Sequence, residues 1–390
     1  MISSYSKKSN WLIPLIEHNT YKNILVVDWF KEISHADMPN TNNDMLKHSW
    51  NIETIESRVD ELMKEADKYD FVLIVVREFW SGRYEDTYER NYKIWKDTDK
   101  KLISRGNIYF LTFSESFFYK NTTPRARTLS LPWFYSNWYT GGIFHSPTFT
   151  PDVDYVEKDY TFNMLLGKRN NVRKEIFDRL QHRKDIYKTY FGEEKYKSVS
   201  DIHLEDEIVA HYLINKKRDE ELQTFHGLPV DYNTDFSMSK PFRENLVKPL
   251  LSHTVPEKIY KNTHFDIITE TILNDRYNMV TGWTSEKTGK PLFTGRFFVF
   301  FGCLNVSTYL KKFGYELDSY MLNEYNSEPE WYNRFDKTIE VINELENINY
   351  VKKVYNDTRE ARLHNMQVAK DGMQNSLNTI QDWIRDKLDE

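Results

Sequence analysis

The stretch Thr284–Gly302, TSEKTGKPLFTGRFFVFFG, puts one carboxylate and two ammonium groups within about one turn of a presumed helix. Glu286 and Lys287 are adjacent, Lys290 stands four residues after Glu286, and Thr284 precedes them. A carboxylate accepts hydrogen bonds from ligand hydroxyls, whereas ammonium groups neutralise phosphate. The same spacing also makes a plain i, i+4 surface ion pair, so the cluster alone admits both readings. Gly295-Arg296 then returns the chain through a tight turn into the apolar run Phe297–Phe301.

Two other segments carry related chemistry. Gly167-Lys168-Arg169-Asn170-Asn171 falls between a predicted strand and a predicted helix. Backbone N–H groups at a helix start, with the cations Lys168 and Arg169, make a seat for phosphate; a solvated basic loop is the bland alternative. Residues 168–188 hold eight Lys or Arg against three Asp or Glu. Phe265–Thr269 ends in Glu270, at the end of a strand where parallel sheets bind ligands. A carboxylate there could hold ribose hydroxyls or stand as an ordinary surface charge.

Other patterns carry less. Asp152-Val153-Asp154 has the D-x-D spacing of metal-dependent transferases but sits in a Pro-rich stretch, and no metal is assigned to it. His182 and His203 lack companions at ligand spacing. Cys303 is the single cysteine, which excludes an internal disulfide and multi-cysteine metal sites and reads as a buried thiol.

Short apolar runs separated by helical patterns position these groups. Ile24–Asp28, Phe71–Val76, Asn107–Phe113, Tyr160–Leu166, Phe265–Thr269 and Phe297–Phe301 read as buried parallel strands. Ile52, Ile55, Val59, Leu62, Met63 and Ala66 follow helical spacing, and a charged helix is predicted near 86–100. Between about 119 and 156 prolines and the aromatic cluster Pro132–Tyr139 mark a linker and cleft. From Trp331 the chain reads as helical, with Met373, Leu377, Ile380, Trp383, Ile384 and Leu388 in one stripe. The expected organisation is an α/β chain with two Rossmann-like lobes, 1–150 and 151–350, and helices over 351–390 packing back on them. A length of 390 residues suits two domains.

Composition narrows the partners. A net charge of −6 gives no global attraction to nucleic acid or anionic membrane, so a DNA ligand would need a local basic surface. No run approaches the ~20 apolar residues of a membrane span, and the N-terminal apolar stretch is broken by Pro14 and Glu17. A cytoplasmic protein is the expectation, in host cytoplasm if the source is viral.

The region 160–345 resembles a glycosyltransferase family widespread in phages and marine microbes. Thr284–Gly302 is similar to its donor-site motif, close to TEKTxKPLxxxRPFIVFG, and to the T-E-K segment of α1,3-fucosyltransferases. Tyr160–Arg173 resembles the family's strand–loop–helix segment, F-x-C-L-N-G-R-x-R-x-H-R. Ile259–Thr271 resembles its strand ending in glutamate, and Tyr309–Tyr325 its L-K-x-L-G-F…D-E-S-Y-D segment. Phe297 replaces the family's proline, the histidine is lost at Val172-Arg173, and E-S-Y-D appears as Glu324-Tyr325-Asn326.

The resemblance implies a GT-B-like enzyme using a nucleotide-sugar (UDP- or GDP-sugar) as co-substrate, with no other cofactor and no metal. Glu286 would contact the ribose; Lys287, with Lys168 or Arg169, would neutralise the diphosphate, and Lys290 would support them. The base that deprotonates the acceptor would come from the N-terminal lobe, where Asp28 and Glu78 follow strands and His145 is a third candidate. The favoured acceptor is a hydroxymethylated base of the 5-hydroxymethylcytosine type in double-stranded phage DNA, gripped by Trp133, Arg183 and Lys184. Alternatives are a fucosyltransferase-like enzyme acting on a surface glycan and a non-catalytic nucleotide-binding protein.

Overall fold

The computed structural model describes residues 2–4, 23–28, 52–76, 101–102, 104–113, 115–116, 127–132, 134–135, 154–166, 171–189, 257–270, 280–282 and 284–389. Two compact units emerge, Met1–Trp133 with Asn375–Glu390, and Phe134–Gln374. The division between Trp133 and Phe134 falls inside the Pro-rich stretch 119–156, and residues 351–390 are divided between the units.

The first unit holds a parallel sheet of β1 (Ile2–Ser4), β2 (Ile24–Asp28), β3 (Phe71–Val76), β4 (Ile108–Thr112) and, after the two-residue strand β5 (Glu115–Ser116), β6 (Thr128–Ser130). Its order is β1-β2-β3-β4-β6, which is sequence order. β2 and β3 are buried along their whole length, as strands covered on both faces must be. Helix α1 (Ile52–Ala66) links them, and Val59, Leu62, Met63 and Ala66 pack on Leu25, Val27, Val72 and Ile74. The apolar repeat of 3.6 residues seats that stripe on the sheet.

The second unit holds a four-stranded parallel sheet. Its strands are β7 (Tyr160–Leu165), β8 (Ile186–Thr189), β9 (Thr263–Thr269) and, after the short β10 (Val280–Thr281), β11 (Phe298–Phe301). Helix α2 (Asn171–Leu180) joins β7 to β8, and α3 (Glu257–Asn262) leads into β9. The order β11-β9-β7-β8 reverses direction between β7 and β9. Helix α4 (Glu286–Phe293) precedes β11, and α5 (Val306–Lys311), α6 (Leu322–Tyr325), α7 (Trp331–Glu344), α8 (Ile348–Asp357) and α9 (Arg359–Asp389) follow it. The protein is therefore mixed α/β, with two parallel sheets and helices in a broadly Rossmann-like arrangement.

A buried polar network fastens the second sheet. Arg296 Nε lies 2.6 Å from Asp266 Oδ2, and its other nitrogens donate to the Tyr260 and Thr263 carbonyls and to Thr263 Oγ1 at 2.9–3.0 Å. Asn163 of β7 donates to Asp266 Oδ1 and Thr263 Oγ1. The Arg296 guanidinium also lies over the Tyr260 ring, 4.1 Å from its centroid. Arg296 and Asp266 are almost fully buried, so each charge depends on the other.

Of the predicted helical stripe, Met373, Ile380, Ile384 and Leu388 are buried, and Trp383 meets Tyr109 edge-on at 6.1 Å. Gly372 lets α9 pass close to Tyr135: an added Cβ would sit 2.1 Å from the phenol oxygen. Among the described residues no helix is long and apolar enough to cross a membrane. The helix predicted near 86–100 lies outside the described residues.

Candidate functional site

The reversal between β7 and β9 makes a topological switch point, and the crevice beyond the strand ends at such a point is where open α/β sheets receive ligands. β7 ends at Leu165, and β9 ends at Thr269, followed by Glu270. Helix α2 reaches across the reversal: Arg173, itself buried, donates from Nη2 to the Thr269 carbonyl at 3.3 Å.

Glu270 is fully buried and organises the turn that starts α4. Its Oε1 accepts from the Ser285 N–H at 2.8 Å and the Thr288 hydroxyl at 2.6 Å. Its Oε2 accepts from the Ser285 hydroxyl at 2.5 Å, with Lys287 Nζ 3.9 Å away. Both oxygens are thus committed to the protein, and Glu270 serves as a helix anchor in place of the expected acceptor of ribose hydroxyls. Ser285 is the N-cap, its oxygen accepting from the Lys287 N–H at 3.3 Å. Gly295, at φ +65°, takes the left-handed conformation that turns α4 toward β11.

Around this helix start lie Thr284, Glu286, Lys287 and Lys290. Lys287 Nζ is 3.0 Å from Glu286 Oε1 and 3.1 Å from Ser285 Oγ. The Thr284 hydroxyl is buried with no hydrogen-bond partner among the described residues. Burial works against the charge on Glu286, but Lys287 and Lys290 outweigh it and hold its carboxyl at about 2. Burial likewise opposes the charge on Lys287, yet Glu286 and Glu270 raise it above its ordinary value despite repulsion from Arg173. At Lys290 burial prevails over the attraction of Glu286, and the ammonium falls to about 8. The edge therefore combines three cations, two anions, an uncommitted hydroxyl and the positive end of a helix, a composition suited to an anionic, hydroxyl-bearing ligand.

Other expected residues are placed differently. Arg183 is a correction: its side chain is 2% exposed, paired with Asp185 at 2.6 Å and bonded to the Ile342 carbonyl at 3.2 Å, so it cannot meet DNA. Arg179 is also paired, with Glu175 and Asp336. The excess of positive charge in 168–188 is thus partly neutralised within the fold. Lys184 is exposed. Phe134 and Tyr135, from the aromatic cluster, are core residues, and the Tyr135 hydroxyl meets that of Tyr315 at 3.0 Å.

Asp28 is buried at the C-terminal end of β2. Asp154 is exposed and lies 3.3 Å from Arg359. Among the described residues no cluster of three or more His, Cys, Asp or Glu is placed to hold a metal ion. Glu78, Trp133, His145, Asp152, Lys168 and Arg169 lie outside the described residues.

Sequence reasoning missed Asp266, Ser285 and Thr288, and gave Arg173 and Arg296 no role. A charge inside the apolar run FDIIT and an arginine directly before FFVFF were the available signals. No protein-family model matches the chain, and no curated protein matches it.

Proposed function

We propose that the protein is a glycosyltransferase that binds a nucleoside-diphosphate sugar at this edge of the second unit and passes the sugar to an acceptor hydroxyl. The observation that carries the reading is the seating of Lys287, Arg173 and the start of α4 at the switch point of a parallel sheet. The leaving group of such a transfer is a nucleoside diphosphate, whose negative charge grows as the glycosidic bond breaks. Cations fixed in advance stabilise that charge. Glu286 would receive ribose hydroxyls, Lys287 the diphosphate, and Lys290 would support both.

A GT-B assignment gives the donor to the second unit and the acceptor, with its base, to the first. Asp28 ends a parallel strand there, as a base must to face a ligand at the sheet's C-terminal edge, and Glu78 is the other candidate. The acceptor assigned by the family resemblance is a hydroxymethylated base in duplex DNA. Lys184 is the exposed cation left to that reading once Arg183 is withdrawn.

The test is release of nucleoside diphosphate from a panel of UDP- and GDP-sugars, with mass spectrometry of hydroxymethylcytosine DNA and of glycan acceptors. Donor turnover with glycosylated DNA supports the full proposal, and turnover with a glycan product replaces the acceptor. Binding without turnover would make the chain a nucleotide-binding protein instead.

A further inference from the structure

The cation best placed to meet a phosphate is already engaged. Lys287 is shared between Glu286 at 3.0 Å and Glu270 at 3.9 Å. The two carboxylates stand to lose different amounts if Lys287 turns to a ligand. Glu270 keeps the Ser285 N–H, the Ser285 hydroxyl and the Thr288 hydroxyl. Glu286, whose side chain is only 21% exposed, gives up its hydrogen-bonded counter-ion. A bare anion that took Lys287 would also stand close to that carboxylate, and a half-buried like-charge contact is costly.

We propose, building on the reading of this edge as a nucleoside-diphosphate site, that Glu286 is its selectivity residue: it masks Lys287 in the free protein and admits an anion only when the same ligand brings hydroxyl donors. A ligand carrying a phosphate beside vicinal hydroxyls leaves neither group unpaired. Its phosphate replaces Glu286 on Lys287, and its hydroxyls replace Lys287 on Glu286, so one charge-assisted contact is exchanged for several. Inorganic phosphate and pyrophosphate lack the hydroxyls and are turned away. The masking pair thereby protects the site from abundant small anions without closing it to its donor.

Calorimetry with inorganic pyrophosphate, UDP, GDP and their 2′,3′-dideoxy counterparts tests this on the full chain. In the wild type, loss of both ribose hydroxyls should weaken binding about tenfold or more. In Glu286→Gln that penalty should vanish, while pyrophosphate binds about tenfold tighter than to wild type. The tightening should disappear in the Glu286→Gln, Lys287→Ala double variant. Pyrophosphate affinity unchanged or weaker in a Glu286→Gln protein with wild-type melting would overturn the proposal, as would equal wild-type affinity for the ribo- and dideoxy-nucleotides. If Lys287→Ala leaves every ligand's affinity unchanged, the anion site itself is wrong; if it weakens them while Glu286→Gln has no effect on pyrophosphate, only the selectivity role fails.

Discussion

At the scale of single residues, Lys287 is where geometry and chemistry meet most directly. Removing its ammonium in Lys287→Ala should weaken nucleoside diphosphate binding by about 1.5–3 kcal/mol, the worth of a charge-assisted hydrogen bond. Calorimetry on the folded variant checks this. Lys290 gives a pH signature. Burial lowers its ammonium to about 8, against the pull of Glu286 and Asp266 and with the push of Lys287. Anion affinity should therefore fall as pH rises through about 8, and Lys290→Arg, which stays charged, should remove that inflection. The sign for folding is opposite: the native state sheds this proton before the unfolded chain does, so between about 8 and the ordinary lysine value of 10.5 stability gains with rising pH. The spacing of Thr284, Glu286 and Lys287 was legible in the sequence because their meeting is local. The fate of Arg183 was not, because its partners include the distant Ile342 and Asn343.

At the scale of elements, the strands most easily read were the most apolar. Ile24–Asp28 and Phe71–Val76 form with the bounds expected from their hydrophobic runs. Thr128–Ser130 and Ile186–Thr189 escaped notice because they are short and interrupted by polar residues. The Asp266–Arg296 pair joins β9 to the residue leading into β11, and pairing across strands leaves no fixed spacing to detect. Arg296→Met should cost about 3–5 kcal/mol in denaturant unfolding, because Asp266 would remain buried without its cation. The Asp266→Asn, Arg296→Met double variant should recover part of that loss. A double variant no more stable than Arg296→Met alone would show that the guanidinium acts through its bonds to the Tyr260 and Thr263 carbonyls.

At the scale of the whole molecule, two α/β units were legible from alternating strand and helix patterns, but the return of Asn375–Glu390 to the first was not, since a chain that returns to an earlier unit leaves no mark in composition. If fixed cations do the electrostatic work at the donor edge, EDTA should leave sugar transfer unchanged within about twofold, a change below ~0.5 kcal/mol in barrier. Loss of turnover restored by Mg²⁺ or Mn²⁺ would return attention to Asp152 and Asp154. Helix α9 has a consequence for how the protein is made. It runs over 31 residues, and the part from Asn375 belongs with the unit that contains β1 to β6. During translation that sheet leaves the ribosome early, while the segment bearing Ile380, Ile384 and Leu388 follows only after the entire second unit. Contacts such as that of Trp383 with Tyr109 can therefore form only once the second unit has been synthesised, so the first unit completes its packing last, although its sheet is made first.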